Sequence, residues 1–156
     1  MIKLTIIGAG SSVFTKNIVT DLLTIDSFKT MNIALMDIDE ERLKISHELI
    51  SAVAQKLNAK PNIESFTDRK AALKNADFVQ STIQVGGYKP STIIDFQVPR
   101  EYGLKQTIAD TLGIGGIMRG LRTIPVLLDI AKDVMEICPN AIWLQYVNPM
   151  LSLIHI

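Results

Sequence analysis

The chain contains little cysteine and no excess of either charge. Its 156 residues include one cysteine, Cys138, which excludes an internal disulfide framework. The 16 basic residues balance the 16 acidic ones, so the net charge does not indicate electrostatic binding to nucleic acid or to an anionic membrane. No apolar run approaches the ~20 residues of a membrane span, and no cationic segment precedes the first apolar run. We therefore expect no secretory signal and a reducing, cytoplasmic location.

Cysteine and histidine, the side chains that most often bind zinc and similar metals, are also few. The imidazoles are His47, within a predicted helix, and His155, next to the last residue. Their spacing with Cys138 does not resemble a ligand set, so we expect no metal site from these three side chains. Cys138 itself is interpreted as a small buried hydrophobe at the end of a helix.

What the chain does contain is enough apolar sequence for a packed core, with 47% hydrophobic and 21% charged residues. Apolar strand patterns alternate with 3.6-residue helical patterns, which is typical of a parallel sheet with helical crossovers. We therefore predict an α/β fold over residues 1–150, a Rossmann-type doubly wound, mostly parallel sheet with helices on both faces. The predicted strands are residues 2–7, 32–36, 62–66, 77–83 and 141–147.

The helices are predicted from apolar spacing and from their capping residues. The first has an apolar face of Phe14, Ile18, Leu22 and Ile25. Asp39 and Asp68 are predicted N-caps of the next two helices. The last pattern is long and contains Pro125, which must begin a turn or kink the helix. Its apolar residues are Ile117, Leu121, Ile124, Leu128, Ala131 and Met135.

The first strand leads directly into a Gly-x-Gly turn, Gly8 and Gly10, and the second ends at Asp37. Glycines there bring backbone N–H groups up to a diphosphate at a helix N-terminus, and a terminal acid binds the adenosine ribose. Ile38 offers no cation for a 2′-phosphate, so NAD is favoured over NADP. Val13 stands where a third glycine would fall, and the alternative is an ordinary strand-to-helix turn.

Residues 84–112 interrupt the alternation with an irregular segment that contains Gly86 and Gly87. A helical period returns only at about residues 93–102. The segment follows the carboxyl end of the fourth strand, the edge at which open α/β sheets bind ligands. Asn148-Pro149 closes the last predicted strand at the same edge, although Asn-Pro is also a common turn.

Seven motifs in one order carry a resemblance to a known family. The chain resembles the N-terminal part of the NAD- and metal-dependent glycosidases of glycoside hydrolase family 4, in its α-galactosidase (melibiase) branch. Lys89-Pro90-Ser91, where many members have an arginine, agrees with that branch. The motifs are Gly-Ala-Gly-Ser (8–11), Ala-Leu-Met-Asp-Ile-Asp (34–39), Gly-Gly-Tyr (86–88), Gln-Thr-Ile-Ala-Asp-Thr-Leu-Gly (106–113), Gly-Gly-Ile-Met-Arg (115–119), Leu-Arg-Thr-Ile-Pro (121–125) and Tyr-Val-Asn-Pro-Met (146–150).

The resemblance implies a hydrolysis unlike that of most glycosidases, which use two carboxylates. In the family, NAD takes a hydride from the sugar 3-position, and the resulting ketone acidifies the neighbouring C–H. A base removes that proton, the glycosidic oxygen leaves, water adds, and the hydride returns. A divalent metal, typically manganese, binds the sugar 2- and 3-oxygens as a Lewis acid. The expected substrate is a small α-glycoside, either a galactoside or a galacturonide.

The resemblance also implies roles for particular residues. Cofactor contacts are expected from Gly8, Gly10, Ser11, Asp37, Gly86 and Gly87, and substrate contacts from Asp110 and Asn148. Asp110 has a second interpretation as the cap of the turn before Gly113. Arg119 and Arg122 are interpreted as solvated or structural salt-bridge residues and are not assigned to the site.

The family's metal ligands, a cysteine and a histidine, and its catalytic tyrosine lie beyond Asn-Pro-Met. We therefore expect a cofactor domain truncated from a longer, homo-oligomeric enzyme, inactive alone and exposing apolar surface left by the missing part. Residues 151–156 are expected to be a non-native tail. Two alternatives are a lactate- or malate-dehydrogenase-like NAD oxidoreductase and a non-catalytic NAD-binding module, which share the fold.

Overall fold

A computed structural model describes residues 1–107 and 113–150. The predicted substrate contact Asp110 and the predicted tail 151–156 lie outside the described residues. Strands and helices alternate as predicted, with a 3-10 turn at Asp26–Phe28 and a π-helical turn at Gly87–Thr92. The elements are β1 (Lys3–Ile7), α1 (Ser12–Leu23), β2 (Asn32–Met36), α2 (Glu40–Lys56), β3 (Asn62–Phe66), α3 (Arg69–Leu73), β4 (Phe78–Ser81), α4 (Ile93–Glu101), α5 (Gly113–Ile137) and β5 (Ile142–Gln145).

The strands form one parallel sheet in the order β3-β2-β1-β4-β5. The predicted α/β fold is confirmed. In the register of the central pair, Leu4 lies beside Ile33 and Ile7 beside Met36. The strands β1 and β2 are almost wholly buried, because both of their faces are covered by helices, as in other parallel sheets.

Helices cover both faces of the sheet. On one face Leu4 and Ile6 of β1 share a buried cluster with Val19 of α1 and Ile50 of α2. On the other face the Thr5 hydroxyl donates a 3.0 Å hydrogen bond to the Ala72 carbonyl of α3. Alternate residues of one strand thus contact helices on opposite sides, which confirms the predicted double winding.

An ion-pair cluster joins α3 to the last part of α5. Arg69 Nε donates to the Asp133 carboxylate at 2.6 Å, and Lys70 Nζ lies 3.3 Å from the same group. Burial of the Asp133 carboxyl raises its pKa, but hydrogen bonding and charge from Arg69 and Lys70 outweigh burial and hold the pKa below its usual value. This carboxylate therefore stabilises the fold in its ionised form.

The predicted apolar face of α1 is wrong by one position. Phe14 is 53% exposed, whereas Thr15, Val19 and Leu23 are the buried residues of the helix. Thr15 can be buried because its hydroxyl donates a 3.0 Å hydrogen bond to the Ala9 carbonyl. Burying a hydroxyl with a partner costs little, so a polar residue takes the inward position.

Other local predictions are confirmed. The Asp39 side chain caps α2 through the Arg42 N–H, and the Asp68 side chain caps α3 through the Lys70 N–H. Cys138 is buried just beyond α5, and burial raises the pKa of its thiol. The alternative that Pro125 begins a turn is wrong, because α5 runs continuously from Gly113 to Ile137 with Pro125 inside it.

The chain divides into two compact units. Unit 1 comprises residues 1–83 and 133–145, which include the whole sheet, and unit 2 comprises, among the described residues, 84–107, 113–132 and 146–150. Within the described ranges, no helix is long and apolar enough to cross a membrane.

Candidate functional site

The register of the sheet brings the two halves of the predicted dinucleotide motif together in unit 1. Ile7 pairs with Met36 at the carboxyl ends of β1 and β2, so the next residues, Gly8 and Asp37, leave the sheet side by side. The N–H groups of Gly8 and Ala9 both donate to the Met36 carbonyl at 2.9 Å. The glycine turn is thereby fastened to the strand that carries the acid.

Gly8 is required by its backbone conformation and by its neighbours. Its φ is +88°, in the left-handed region that residues with a Cβ rarely adopt. A Cβ at this position would also lie 2.9 Å from the carbonyl oxygen of Thr82, just beyond β4. Backbone atoms cannot move aside, so the close approach of two strand ends specifies glycine here.

Gly10 is required by the acid itself. Its N–H donates a 2.7 Å hydrogen bond to Asp37 Oδ2, while Asp37 Oδ1 accepts from the Asp39 N–H at 3.0 Å. A Cβ on Gly10 would lie 2.7 Å from Asp37 Oδ2 and 2.9 Å from the Cβ of Arg42. The carboxylate is therefore held by two backbone donors against a glycine that leaves room for it.

The turn between the two glycines is held from inside. The Ala9 carbonyl accepts hydrogen bonds from two buried hydroxyls, Thr15 at 3.0 Å and Ser46 at 2.7 Å. These come from α1 and α2, so both helices fix the position of one peptide group. The backbone of the turn is ordered before any ligand arrives, which lowers the entropic cost of binding.

An open cleft of about 390 Å³ adjoins the turn and is lined by residues 10–13 together with Arg42 and Ile45 of α2. Helix α1 begins in this cleft, and Ser11, its N-cap residue, makes no side-chain capping hydrogen bond. The positive end of the helix dipole, not capped by a side chain, favours an anion such as a diphosphate. The cleft is large enough for part of a nucleotide.

Arg42 is a candidate functional residue that the sequence reasoning missed. It is exposed, lies in the first turn of α2, and its Nε is 3.4 Å from Asp39 Oδ2. A cation at this point adds positive charge to the cleft beside Asp37. Its distance of five residues from Asp37, on the helix that follows β2, is the sequence signal that could have found it.

Three further predicted contacts, Gly86, Gly87 and Asn148, belong to unit 2. Gly86 has a φ of +83°, and a Cβ there would clash with the Ser91 hydroxyl. Gly87 has a φ of +65° and open space around it, and Asn148 is half-buried. Gly86 is thus a steric requirement of its own loop, whatever else it contacts.

The interpretation of Arg122 as a structural residue is confirmed. Its guanidinium binds the carboxylate of Asp95 with both ends, at 2.8 Å and 2.6 Å, and Asp95 is fully buried. The hydrogen bond to Asp95 raises the pKa of Arg122 against the opposing effect of burial. This pair joins α4 to α5 within unit 2.

The residues of unit 1 fit a dinucleotide. They supply a glycine turn that a Cβ would fill, a helix N-terminus at a cleft, and a carboxylate fixed at the end of β2. They do not fit a metal ion. Among residues 1–107 and 113–150, no three His, Cys, Asp or Glu side chains come together as a candidate metal site.

The family model for family 4 glycosyl hydrolases matches residues 3–156 of the chain. The chain belongs to glycosyl hydrolase family 4. This family 4 chain is 54% identical over 153 residues to an alpha-galactosidase of Bacillus subtilis (strain 168), covering 98% of this chain and 35% of the relative. It is 37% identical over 149 residues to an alpha-galactosidase of Rhizobium meliloti (strain 1021), covering 95% and 30%. The predicted resemblance is confirmed.

The fold of this family 4 chain is also found in a solved structure. The 6-phospho-beta-glucosidase of Thermotoga maritima, solved with manganese, NAD+ and glucose-6-phosphate, matches with a TM-score of 0.81 at 27% identity. The match covers 96% of this chain and 35% of the other. The chain thus spans about a third of the length of the relatives that it matches.

Proposed function

We propose that this chain is the NAD-binding part of a longer glycosidase that depends on NAD and a divalent metal and acts on α-galactosides. The observation that carries the proposal is the Gly10 turn held against Asp37 at the cleft of unit 1. The 54% identity to an alpha-galactosidase supports the choice of sugar, since the other named relative also cleaves α-galactosides.

In this proposal, each group of unit 1 has a part in binding the cofactor. The first turn of α1 and the backbone at Gly8, Gly10 and Ser11 face the diphosphate, whose charge complements the helix N-terminus. The Asp37 carboxylate accepts hydrogen bonds from the adenosine ribose hydroxyls. Arg42, exposed at the same cleft, adds a positive charge near the phosphates, and Ile45 offers an apolar surface.

The chemistry of the parent enzyme is assigned through the family resemblance. When bound, NAD supplies a hydride acceptor at the sugar 3-position and returns the hydride at the end of turnover. We assign Gly86 and Gly87 to backbone contacts with the cofactor, Asn148 to the nicotinamide and sugar hydroxyls, and Asp110 to the substrate. The metal, manganese in the proposal, and the base are assigned to residues beyond Met150. The chain alone is therefore inactive, and the parent enzyme is a cytoplasmic homo-oligomer.

A binding experiment tests the cofactor half of the proposal on the chain itself. NAD should raise the thermal unfolding midpoint of the 156-residue chain in a concentration-dependent way, because a ligand that binds only the folded state stabilises it. NADP should give a smaller rise, since Asp37 repels a 2′-phosphate. The absence of any shift at millimolar NAD would contradict the assignment of the cleft.

A second experiment tests the reaction. With NAD and manganese, a parent protein of the relatives' length should release nitrophenol from nitrophenyl α-galactoside, faster than from the galacturonide, and should lose activity when either addition is withheld. The 156-residue chain should release none. Release by the short chain would overturn its assignment as an inactive part. Accumulation of free NADH with a hydroxy acid would instead favour the dehydrogenase-like alternative, and NAD binding without any turnover by the parent would favour the binding module.

A further inference from the structure

Helix α5 carries apolar side chains on two sides. One side is buried and contains residues spaced three or four apart along the helix. These are Gly116, Gly120, Thr123, Leu127 and Ile130. A second row, with intervals of three, four and seven residues, is exposed. It consists of Ile114, Ile117, Leu121 and Leu128, and we call it the α5 stripe. All of these residues belong to unit 2.

The exposure of the α5 stripe is unusual for a helix at a protein surface. Leu121 is 71% exposed and Ile117 is 59% exposed, although a surface helix ordinarily turns polar residues outward. A helix that is apolar on both sides is typical of a buried element, and a contiguous exposed apolar patch marks an interaction site. The sequence of α5 is therefore that of a helix covered on both sides.

The charges of this part of α5 lie away from the stripe. Arg119 and Arg122 are the charged residues between positions 114 and 128. At 3.6 residues per turn they project from another side of the helix than Leu121, and Arg122 is engaged with Asp95. A partner for the stripe must consequently be apolar, since the stripe itself offers no charge to recognise.

The described chain ends against α5, on the buried side of the helix and at the level of Leu121. A Cβ added to Gly120 would lie 3.3 Å from Cγ of Pro149, so Pro149 packs against α5 one residue before Leu121. Met150, the last described residue, follows directly. In a protein of the relatives' length, about two thirds of the polypeptide remains to be placed, since the chain covers 35% of the alpha-galactosidase from Bacillus subtilis.

We propose that the α5 stripe is the docking surface for the polypeptide that follows Met150 in a protein of the relatives' length. The inference rests on the proposed function to the extent that both treat the chain as part of a longer enzyme. A segment tethered at Met150 reaches the stripe at a high effective concentration, which favours it over a second copy of the chain as the occupant. Docking there fixes α5, and with it unit 2, against the rest of the enzyme.

Cysteine labelling tests the proposal without requiring activity. The variants are Leu121→Cys and, as a matched control, Gln55→Cys on the exposed polar side of α2, each made in the 156-residue chain and in the parent protein. Maleimide incorporation at the introduced cysteine is followed by peptide mass spectrometry, so other thiols do not interfere. In the short chain both sites should label at similar rates. In the parent, labelling at Leu121→Cys should slow at least about 10-fold, because a covered site labels only through local opening.

Each outcome is decisive. Equal labelling of Leu121→Cys in the two proteins would overturn the proposal, as would protection that disappears when the parent is diluted to the monomer, which would identify a second copy as the occupant. Hydroxyl-radical footprinting of Leu121 in the unsubstituted parent gives the same comparison if the variant fails to fold. A parent that cleaves α-galactosides but leaves Leu121 exposed contradicts only this inference. A parent without glycosidase activity but with Leu121 protected contradicts only the proposed function.

Discussion

The N–H of Gly10 donates a 2.7 Å hydrogen bond to Oδ2 of Asp37, although the two residues are 27 positions apart in the chain. This contact joins the glycine turn after β1 to the acid at the end of β2. It exists because Ile7 and Met36 are partners in the parallel register. The groups proposed to bind the diphosphate and the ribose are therefore one preassembled unit.

The substitution Gly10→Ala should remove NAD binding while leaving the fold intact. The new Cβ would lie 2.7 Å from Asp37 Oδ2 and 2.9 Å from the Cβ of Arg42, so the carboxylate must move. We expect the NAD-induced rise in the unfolding midpoint to disappear, with a cost in stability of about 1–3 kcal/mol from overpacking. The control is Gly103→Ala, which also costs stability because a φ of +80° is strained for alanine, but whose Cβ would meet no atom within 4 Å, so NAD should still raise its unfolding midpoint. NAD binding that survives in Gly10→Ala, or that is lost equally in the folded control, would contradict the site.

The substitution Asp37→Asn should shift cofactor preference toward NADP. Loss of the carboxylate weakens the ribose hydrogen bonds and removes the repulsion of a 2′-phosphate, while Arg42 remains as a cation in the cleft. Titration calorimetry should show NAD affinity falling by about 10-fold, as expected for a charged hydrogen bond of ~1.5 kcal/mol or more. NADP affinity should rise or stay constant.

The double variant Asp37→Asn with Arg42→Ala tests whether Arg42 is the cation that binds the 2′-phosphate of NADP. If Arg42 supplies the cation, the double variant loses the NADP affinity that the single variant keeps. An unchanged NADP affinity would show that Arg42 does not reach the ribose end of the cleft.

The single substitution Arg122→Met should lower the free energy of unfolding more than a double variant in which Asp95 is replaced as well. Removing the guanidinium leaves the buried carboxylate of Asp95 without the partner that binds both its oxygens, at an expected cost of about 3 kcal/mol. The double variant Asp95→Leu with Arg122→Met removes both charges and should recover much of that loss. Urea unfolding followed by circular dichroism measures both. Equal losses would mean that the pair contributes through packing of the Arg122 stem instead.

The Asp133 cluster should make stability depend on pH in the acidic range. Since the folded-state pKa of Asp133 lies below its usual value, the stabilisation is fully present above the unfolded pKa and is lost as pH falls through the folded pKa. Asp133→Asn should thus be less stable than the unsubstituted chain at neutral pH. The difference should begin to narrow below about pH 4, where Asp133 of the unfolded chain becomes protonated, and should close as the pH falls through the lower pKa of the folded state. Thermal unfolding of both proteins between neutral and acidic pH checks this, and a difference independent of pH would contradict it.

Much of the fold follows from local sequence. The strands were predicted because their apolar runs suit a sheet covered on both faces, and Asp39 and Asp68 cap their helices because a carboxylate there meets a free backbone N–H. The face of α1 could not be read in the same way. Apolar spacing favoured Phe14, but the buried position belongs to Thr15, whose partner, the Ala9 carbonyl, is supplied by the fold of the turn.

In the candidate site, too, some features follow from the local sequence and others depend on the tertiary structure. The sequence by itself determined the glycine turn, the acid at Asp37 and the family, because these are carried by residue type and spacing along the chain. Only the tertiary structure decided that Gly10 makes room for Asp37, that Arg42 lines the cleft, and that one apolar row of α5 is buried while the other is exposed. The physical reason is that helical periodicity shows which residues share a side of a helix, whereas what covers that side depends on elements distant in the chain.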